Sequence, residues 1–317
     1  MQKLSTGILA VAAAAIFLCG AAAYVAPPEW AYPLNAKMPE AAKPSSTKRT
    51  VPGSGVTLAK DPDFFSPPDW FPNSHPKMPE IVAHGRAPTV FACGFCHMPN
   101  GQGRPENASL AGQPVSYIIE QVNEIREGRR RSAQAKMLPP NLMFEVAKAV
   151  SSSDLKAAAA YFSALKYHSR IRVVESATVP KTFVGGVGMW VALPGNAREP
   201  IGERIVEVPE DFALTELRDP ESGFVAYVPP GSIKRGQALT HQANGALPCA
   251  ACHGPDFKGA IGPALAGRSP SYLFRQLFDI KAGTRTGPTV VQMRPEVAHL
   301  NNADMIAIVA YLASLKT

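Results

Sequence analysis

Apolar residues recur along this chain in two stretches that read alike. From Leu110 the sequence runs Leu-Ala-Gly-Gln-Pro-Val-Ser-Tyr, and Ile118, Val122 and Ile125 then follow at helical spacing up to Gly128. Ser116 offers an N-cap and Gly128 a C-terminal stop. From Leu265 the phrase returns as Leu-Ala-Gly-Arg-Ser-Pro-Ser-Tyr, with Gln276, Ile280 and Gly283 in register at an offset of 155 (265 minus 110). Each copy is followed by an alanine-rich helix. Ser151–Ser153 with Asp154 introduces the first and Asn301 with Asp304 the second, a capping residue and an early acid at each start. A whole unit has therefore been duplicated, and not an isolated motif.

The rest of the chain lacks this pattern. Residues 27–76 hold eleven prolines and predict neither a regular helix nor a central strand; they read as a tether. Phe64, Phe65, Trp70 and Phe71 are too apolar for a solvated coil and predict packing along the first unit. Residues 170–231 are rich in Val, Pro and Gly and predict an ordered connector with little regular structure, at most a short hairpin. Residues 7–26 are apolar or small without a charge, following Lys3. They predict export, either as a signal peptide cleaved near Ala21–Ala23 or as a retained inner-membrane anchor within 5–26. Cys19 reads as an apolar residue of that segment.

At 317 residues and 46% hydrophobic content, the chain has room for two small cored domains. The predicted division is 1–26 leader or anchor, 27–76 tether, 77–168 first domain, 169–230 connector and 231–317 second domain. The net charge of +7 raises nucleic acid as a partner, but the longest basic run is Arg129–Arg131, which reads as a solvated helix end. An acidic redox partner fits the charge better.

The remaining cysteines sit in the duplicated unit. Cys93, Cys96 and His97 form C-x-x-C-H, and Cys249, Cys252 and His253 repeat it 156 residues later (249 minus 93). One such motif alone is also compatible with a redox dithiol or half a zinc site. Two of them, using four of five cysteines, point to two covalently attached c-type haems with His97 and His253 as proximal iron ligands. For the opposite axial position, Met293 lies 18 residues before Tyr311, and Met143 lies 18 before Tyr161. Each precedes a Glu-Val-Ala and the closing helix. Met137, 40 residues after His97 as Met293 is after His253, is the rival in the first half. Two protein-closed irons favour electron transfer over substrate chemistry, with thioether ligation favouring Fe(II).

With these motifs in place, the chain resembles tandem dihaem class I cytochromes c over residues 79–167 and 231–316. The resemblance implies an all-α fold of two cytochrome c domains and a role in single-electron transfer. The electrons would pass from a dehydrogenase or quinol-oxidising complex toward a terminal oxidase, in the periplasm. It also implies that Pro263, and Ala108 in the first half, offers the carbonyl that orients the proximal imidazole, and that Tyr117 and Tyr272 lie near haem propionates. Two alternatives stay open: the cytochrome subunit of a specific periplasmic dehydrogenase, and a dihaem enzyme of peroxidase or thiosulfate-oxidising type. No catalytic residue and no nucleic-acid partner are expected.

Overall fold

The computed structural model describes residues 26–34, 39, 50–58, 61–185, 188–242 and 247–317. The Cys19 reading and almost all of the leader or anchor segment lie outside the described residues. Among the described residues, no helix is long and apolar enough to cross a membrane.

The first unit contains α1 (Glu80–Ala83), α2 (Cys93–His97), α3 (Val115–Arg126), α4 (Leu138–Ala149) and α5 (Ser152–Ala164). Strands β1 (Ile171–Glu175), β2 (Thr178–Pro180), β3 (Thr182–Gly185), β4 (Met189–Ala192), β5 (Arg198–Pro200) and β6 (Val206–Pro209) follow. Then come α6 (Phe212–Glu216) and β7 (Phe224–Val228). The second unit contains α7 (Ser232–His241), α8 (Cys249–His253), α9 (Pro270–Lys281), α10 (Met293–Ala298) and α11 (Asn302–Ser314).

Both closing helices start as their sequences predict. Ser151 accepts a hydrogen bond from the Asp154 amide, and Asn301 and Asp304 form a reciprocal capping box. The cap expected at Ser116 is not formed: α3 starts at Val115, behind Pro114, with no side-chain cap. In the second unit the cap falls on Ser269, which accepts from the Tyr272 amide. Proline at the matching first-unit position has no side-chain acceptor, so the duplicated helix begins differently in its two copies.

In the second unit α7 crosses α11 so closely that a Cβ on Gly236 would lie 1.9 Å from the Ala307 carbonyl oxygen. Only glycine allows this approach. Arg235 pairs with Asp304 beside the crossing. In the first unit the corresponding lead-in helix is reduced to the single turn of α1, whose Ile81 and Val82 are buried with Phe162 of α5.

An all-α fold does not hold for the whole chain. The connector folds into a three-stranded sheet of order β1-β7-β6, with β1 parallel and β6 antiparallel to β7, and two further strand pairs, β2 with β5 and β3 with β4. The β1 to β7 pairing joins residues 53 apart (224 minus 171) and closes the connector on itself. Sequence reading anticipated at most a hairpin because short Val-rich pieces announce strands but not their distant partners. The sheet is tied to the second unit by Glu207 of β6, which is 1% exposed and accepts from the Ser269 hydroxyl (2.8 Å) and the Ser271 amide (3.1 Å) at the start of α9. A carboxylate at that helix start meets its unpaired amides.

The proline-rich stretch is no free tether over its described residues. Ala31 and Tyr32 are buried in the second unit's core, where the Tyr32 hydroxyl donates to Asp279 at 2.7 Å and Trp30 packs on Phe274. Trp70 is fully buried and its indole donates to the Leu217 carbonyl of the connector at 2.8 Å. Packing of the aromatic stretch against the first unit, expected from its composition, is present in the stacking of Phe64 on Phe91.

Two outcomes test this packing. Gly236→Leu is expected to destabilise the second unit by about 3 kcal/mol, on the scale of overpacked or clashing core substitutions, read as a lowered thermal midpoint. Burial raises the Glu207 pKa above its ordinary value, against the lowering effect of its serine hydrogen bonds. Between the unfolded and folded values the native state holds more protons, so stability falls as pH rises through that window. Glu207→Gln is expected to flatten that slope in urea titrations run at successive pH values.

Candidate haem sites and the interface between them

Helix α2 is one turn long, which sets Cys93 and Cys96 on a common face and carries His97 at its end. All three line an apolar cavity of about 90 Å³. The facing walls come from Ile118 and Val122 of α3, from Leu142, Met143 and Val146 of α4, and from Leu155, Ala158 and Phe162 of α5. His97 Nδ1 pairs with the Ala108 carbonyl at 2.8 Å, which leaves Nε2 free to serve as a metal ligand. Burial holds its pKa below the ordinary histidine value, so the ring is neutral. Burial, reinforced by Cys96, pushes the Cys93 thiol up to about 12. Such a thiol is a poor thiolate for redox exchange or zinc.

The second unit repeats the arrangement on α8. His253 is buried, its Nδ1 pairs with the Pro263 carbonyl at 2.8 Å, and burial lowers its pKa likewise. Both carbonyls expected from the resemblance are thus in position, and Ala108 serves as well as Pro263. Gly262 approaches the imidazole so closely that a Cβ there would lie 2.7 Å from the ring. That glycine escaped sequence reading because the first unit has Asn107 at the matching position.

The methionines separate clearly. Met143 lines the first cavity. Met137, its rival, is 1% exposed inside the core cluster of the second unit. Met293 opens α10 and packs against that same cluster. His241 packs on Phe257 and Tyr311 and pairs with the Gln237 carbonyl, while His75 pairs with Asp69 and Tyr161.

The run Arg129–Arg131 departs from the reading of a solvated helix end. Arg130 is half-buried between the units, where it donates to Tyr272 (2.7 Å), Gln276 (2.9 Å) and Gln121 (2.9 Å). Arg285, 155 residues on, donates to Gln121 (2.8 Å) and Gln276 (3.3 Å). The two arginines form an antiparallel bridge, flanked by Arg131 N to Thr284 O and Thr286 N to Arg129 O. Every contact is matched by its 155-residue counterpart, so the units meet about a pseudo-twofold axis at this pair. A second ring of matched contacts lies further out: Gln113 binds the Ala264 backbone, and Arg268 binds the Ser109 and Ala111 carbonyls. Burial raises the Tyr117 pKa, but Arg285, Arg130 and Arg268 outweigh it and hold the phenol below its ordinary value. Arg268 Nε, Arg285 Nε and Gln121 Nε2 are buried donors without a protein partner. A cluster of cations with spare donors between two haem pockets is suited to carboxylates, which haem supplies as propionates.

A cavity with paired thiols, a neutral carbonyl-oriented imidazole and a thioether defines a protein of the covalent-haem class. The family model for cytochrome c matches residues 233–316. The chain is 27% identical over 243 residues to cytochrome c4 of Pseudomonas aeruginosa, covering 74% of this chain and 88% of that protein. It is 32% identical over 75 residues to cytochrome c-554(548) of Halomonas halodenitrificans, covering 23% of this chain and 84% of that protein. It is 27% identical to the thiosulfate dehydrogenase electron acceptor of Thiomonas intermedia, over 72% of this chain and 80% of that one. The solved structure of reduced cytochrome c4 from Pseudomonas stutzeri aligns with a TM-score of 0.46 at 25% identity, covering 70% of this chain and 93% of that one. The chain belongs to the cytochrome c family, as a tandem dihaem member carrying two covalently bound c-type haems. Bound haem supplies a one-electron Fe(III)/Fe(II) couple, and the protein transfers electrons with it.

The two arginines are expected to act as one unit. In urea unfolding of the haem-loaded protein, Arg130→Ala and Arg285→Ala should each destabilise, and the double variant should depart from additivity by about 0.5–3 kcal/mol, as residues of one hydrogen-bond network do.

Proposed function

We propose that this protein carries single electrons in the periplasm, from a dehydrogenase or quinol-oxidising complex toward a terminal oxidase, with no substrate chemistry of its own. The observation that carries the reading is the wall of the first cavity, where Met143 joins His97 among the lining residues and offers the iron a second, soft axial ligand. Cys93 and Cys96 hold the first haem and Cys249 and Cys252 the second. His97 with Met143, and His253 with Met293, supply the axial pairs. The domains run over 77–168 and 231–317, with 27–76 and 169–230 wrapped between and around them. If residues 5–26 are retained they tether the protein to the inner membrane.

A second reading, the electron-accepting subunit of a particular dehydrogenase, is supported by the relative named as a thiosulfate dehydrogenase electron acceptor. The chemistry within this chain is the same in both readings. Co-purification of a stable enzyme partner from native membranes or periplasm would favour the second.

Axial ligation decides between carrier and catalyst. The oxidised protein is expected to show the weak near-infrared sulfur-to-iron charge-transfer band at an intensity fitting two His/Met haems. Met143→His and Met293→His should each remove about half of it and lower the potential of one haem, because imidazole favours Fe(III) more than a thioether does. Met137→Leu should leave the band intact. A high-spin resting haem that binds cyanide rapidly would overturn the carrier reading.

A further inference from the structure

The duplicated units are related about Arg130 and Arg285, but the connector is present once, and it reaches the cavity of the first unit. Its residue Arg218 lies in the wall of the first cavity. The guanidinium sits 3.6 Å over the Phe95 ring and donates to the Phe95 carbonyl at 2.5 Å, between Cys93 and Cys96 in sequence. Among the described residues no carboxylate lies within ion-pair distance of it; the nearby Arg104 and Glu106 pair with each other at 2.9 Å. Arg218 also holds φ at +57°, a conformation that a non-glycine side chain adopts only when its surroundings impose it. The imposition is visible next door, where the buried Trp70 indole fixes the Leu217 carbonyl. Phe64, stacked on Phe91 and packed on Phe95, completes the cover over α2. Near the matching helix of the second unit, among the described residues, Leu247 and Ile261 are 64% and 84% exposed.

We propose that Arg218 is a positioning and tuning residue that makes the two haems unequal, its unpaired guanidinium raising the reduction potential of the first haem so that an electron rests there in preference to the second. The physical reason is charge. Oxidised haem carries one more positive charge than reduced haem, and a cation in the low-dielectric cavity wall disfavours the oxidised state. The covering by Phe64 and Arg218 removes water that would otherwise screen the effect. The proposal rests on assignment of the first haem to this cavity.

The test is spectroelectrochemical titration of the dihaem protein. Met143→His, with its altered spectrum, identifies the first haem's step. Arg218→Met should make reduction of the first haem about tenfold less favourable, about 59 mV for a one-electron couple, and change the second haem by less than twofold. Arg218→Lys should retain most of the wild-type potential. Glu216→Gln, which removes a neighbouring negative charge without touching the cavity wall, should shift the first haem the opposite way by about twofold; it keeps the proposal testable should Arg218→Met fail to take up haem. Equal shifts in both haems, no shift in Arg218→Met, or an Arg218→Lys variant as low as Arg218→Met would overturn it. A wrong assignment of the haem itself shows separately. In that case Cys93→Ala with Cys96→Ala would leave the first haem's titration step in place and remove the other.

Discussion

The first unit is organised around one apolar pocket at α2, lined by residues of α2, α3, α4 and α5. A unit of some ninety residues buries little apolar surface of its own, and a covalently bound haem supplies the large apolar body that its core needs. Such an apolar setting dictates the placement of polar groups. His97 and His253 give their Nδ1 to backbone carbonyls, so each buried ring has one satisfied nitrogen and leaves Nε2 available as a ligand. The cysteines sit in pairs on single helical turns, Cys93 and Cys96 on α2 and Cys249 and Cys252 on α8.

Once each unit is built around haem, its carboxylate edge needs cations, and the duplicated chain meets this need at the boundary between units. Arg130 and Arg285 cross there, each reaching the glutamine of the opposite unit. Arg268 reaches across to backbone carbonyls 157 and 159 positions earlier in the chain. The cationic network that docks the units also keeps buried donors spare, and these would suit haem carboxylates.

What was legible in the sequence was local or repeated. The C-x-x-C-H turns, the capped closing helices and the paired methionines each announce themselves within a few residues or through the duplication. Arg130 was equally available in principle, since Arg285 stands at the same 155-residue offset as the helix phrase, but a basic run on a helix end reads as solvated when its partners lie on another domain. The connector was opaque for a different reason. Its central pairing joins β1 to β7 across 53 positions, and no local pattern encodes a parallel partner that distant. Glu207 shows the same limit. Its alternation with Val206 and Val208 marks an outward side chain, yet that face is covered by the start of α9. The aromatic stretch at 64–71 declared its burial by composition, while Trp30 and Tyr32, earlier in the same proline-rich run, were hidden by their neighbours.

The segments that resist duplication are the ones that break its symmetry. Two copies of one unit related by a pseudo-twofold axis would present two equivalent haems, and equivalent haems exchange an electron with no preferred direction. Directionality requires a difference between the copies, and they already diverge at their lead-in helices and at the starts of α3 and α9. Here the unrepeated chain provides it asymmetrically: Phe64 and Trp70 from the proline-rich strap and Leu217 and Arg218 from the connector close over α2, while α8 keeps exposed apolar neighbours at Leu247 and Ile261. The first unit's α2 is thus covered by the chain's own unrepeated segments, and the inequality proposed for the two haems comes from segments outside both haem-binding units.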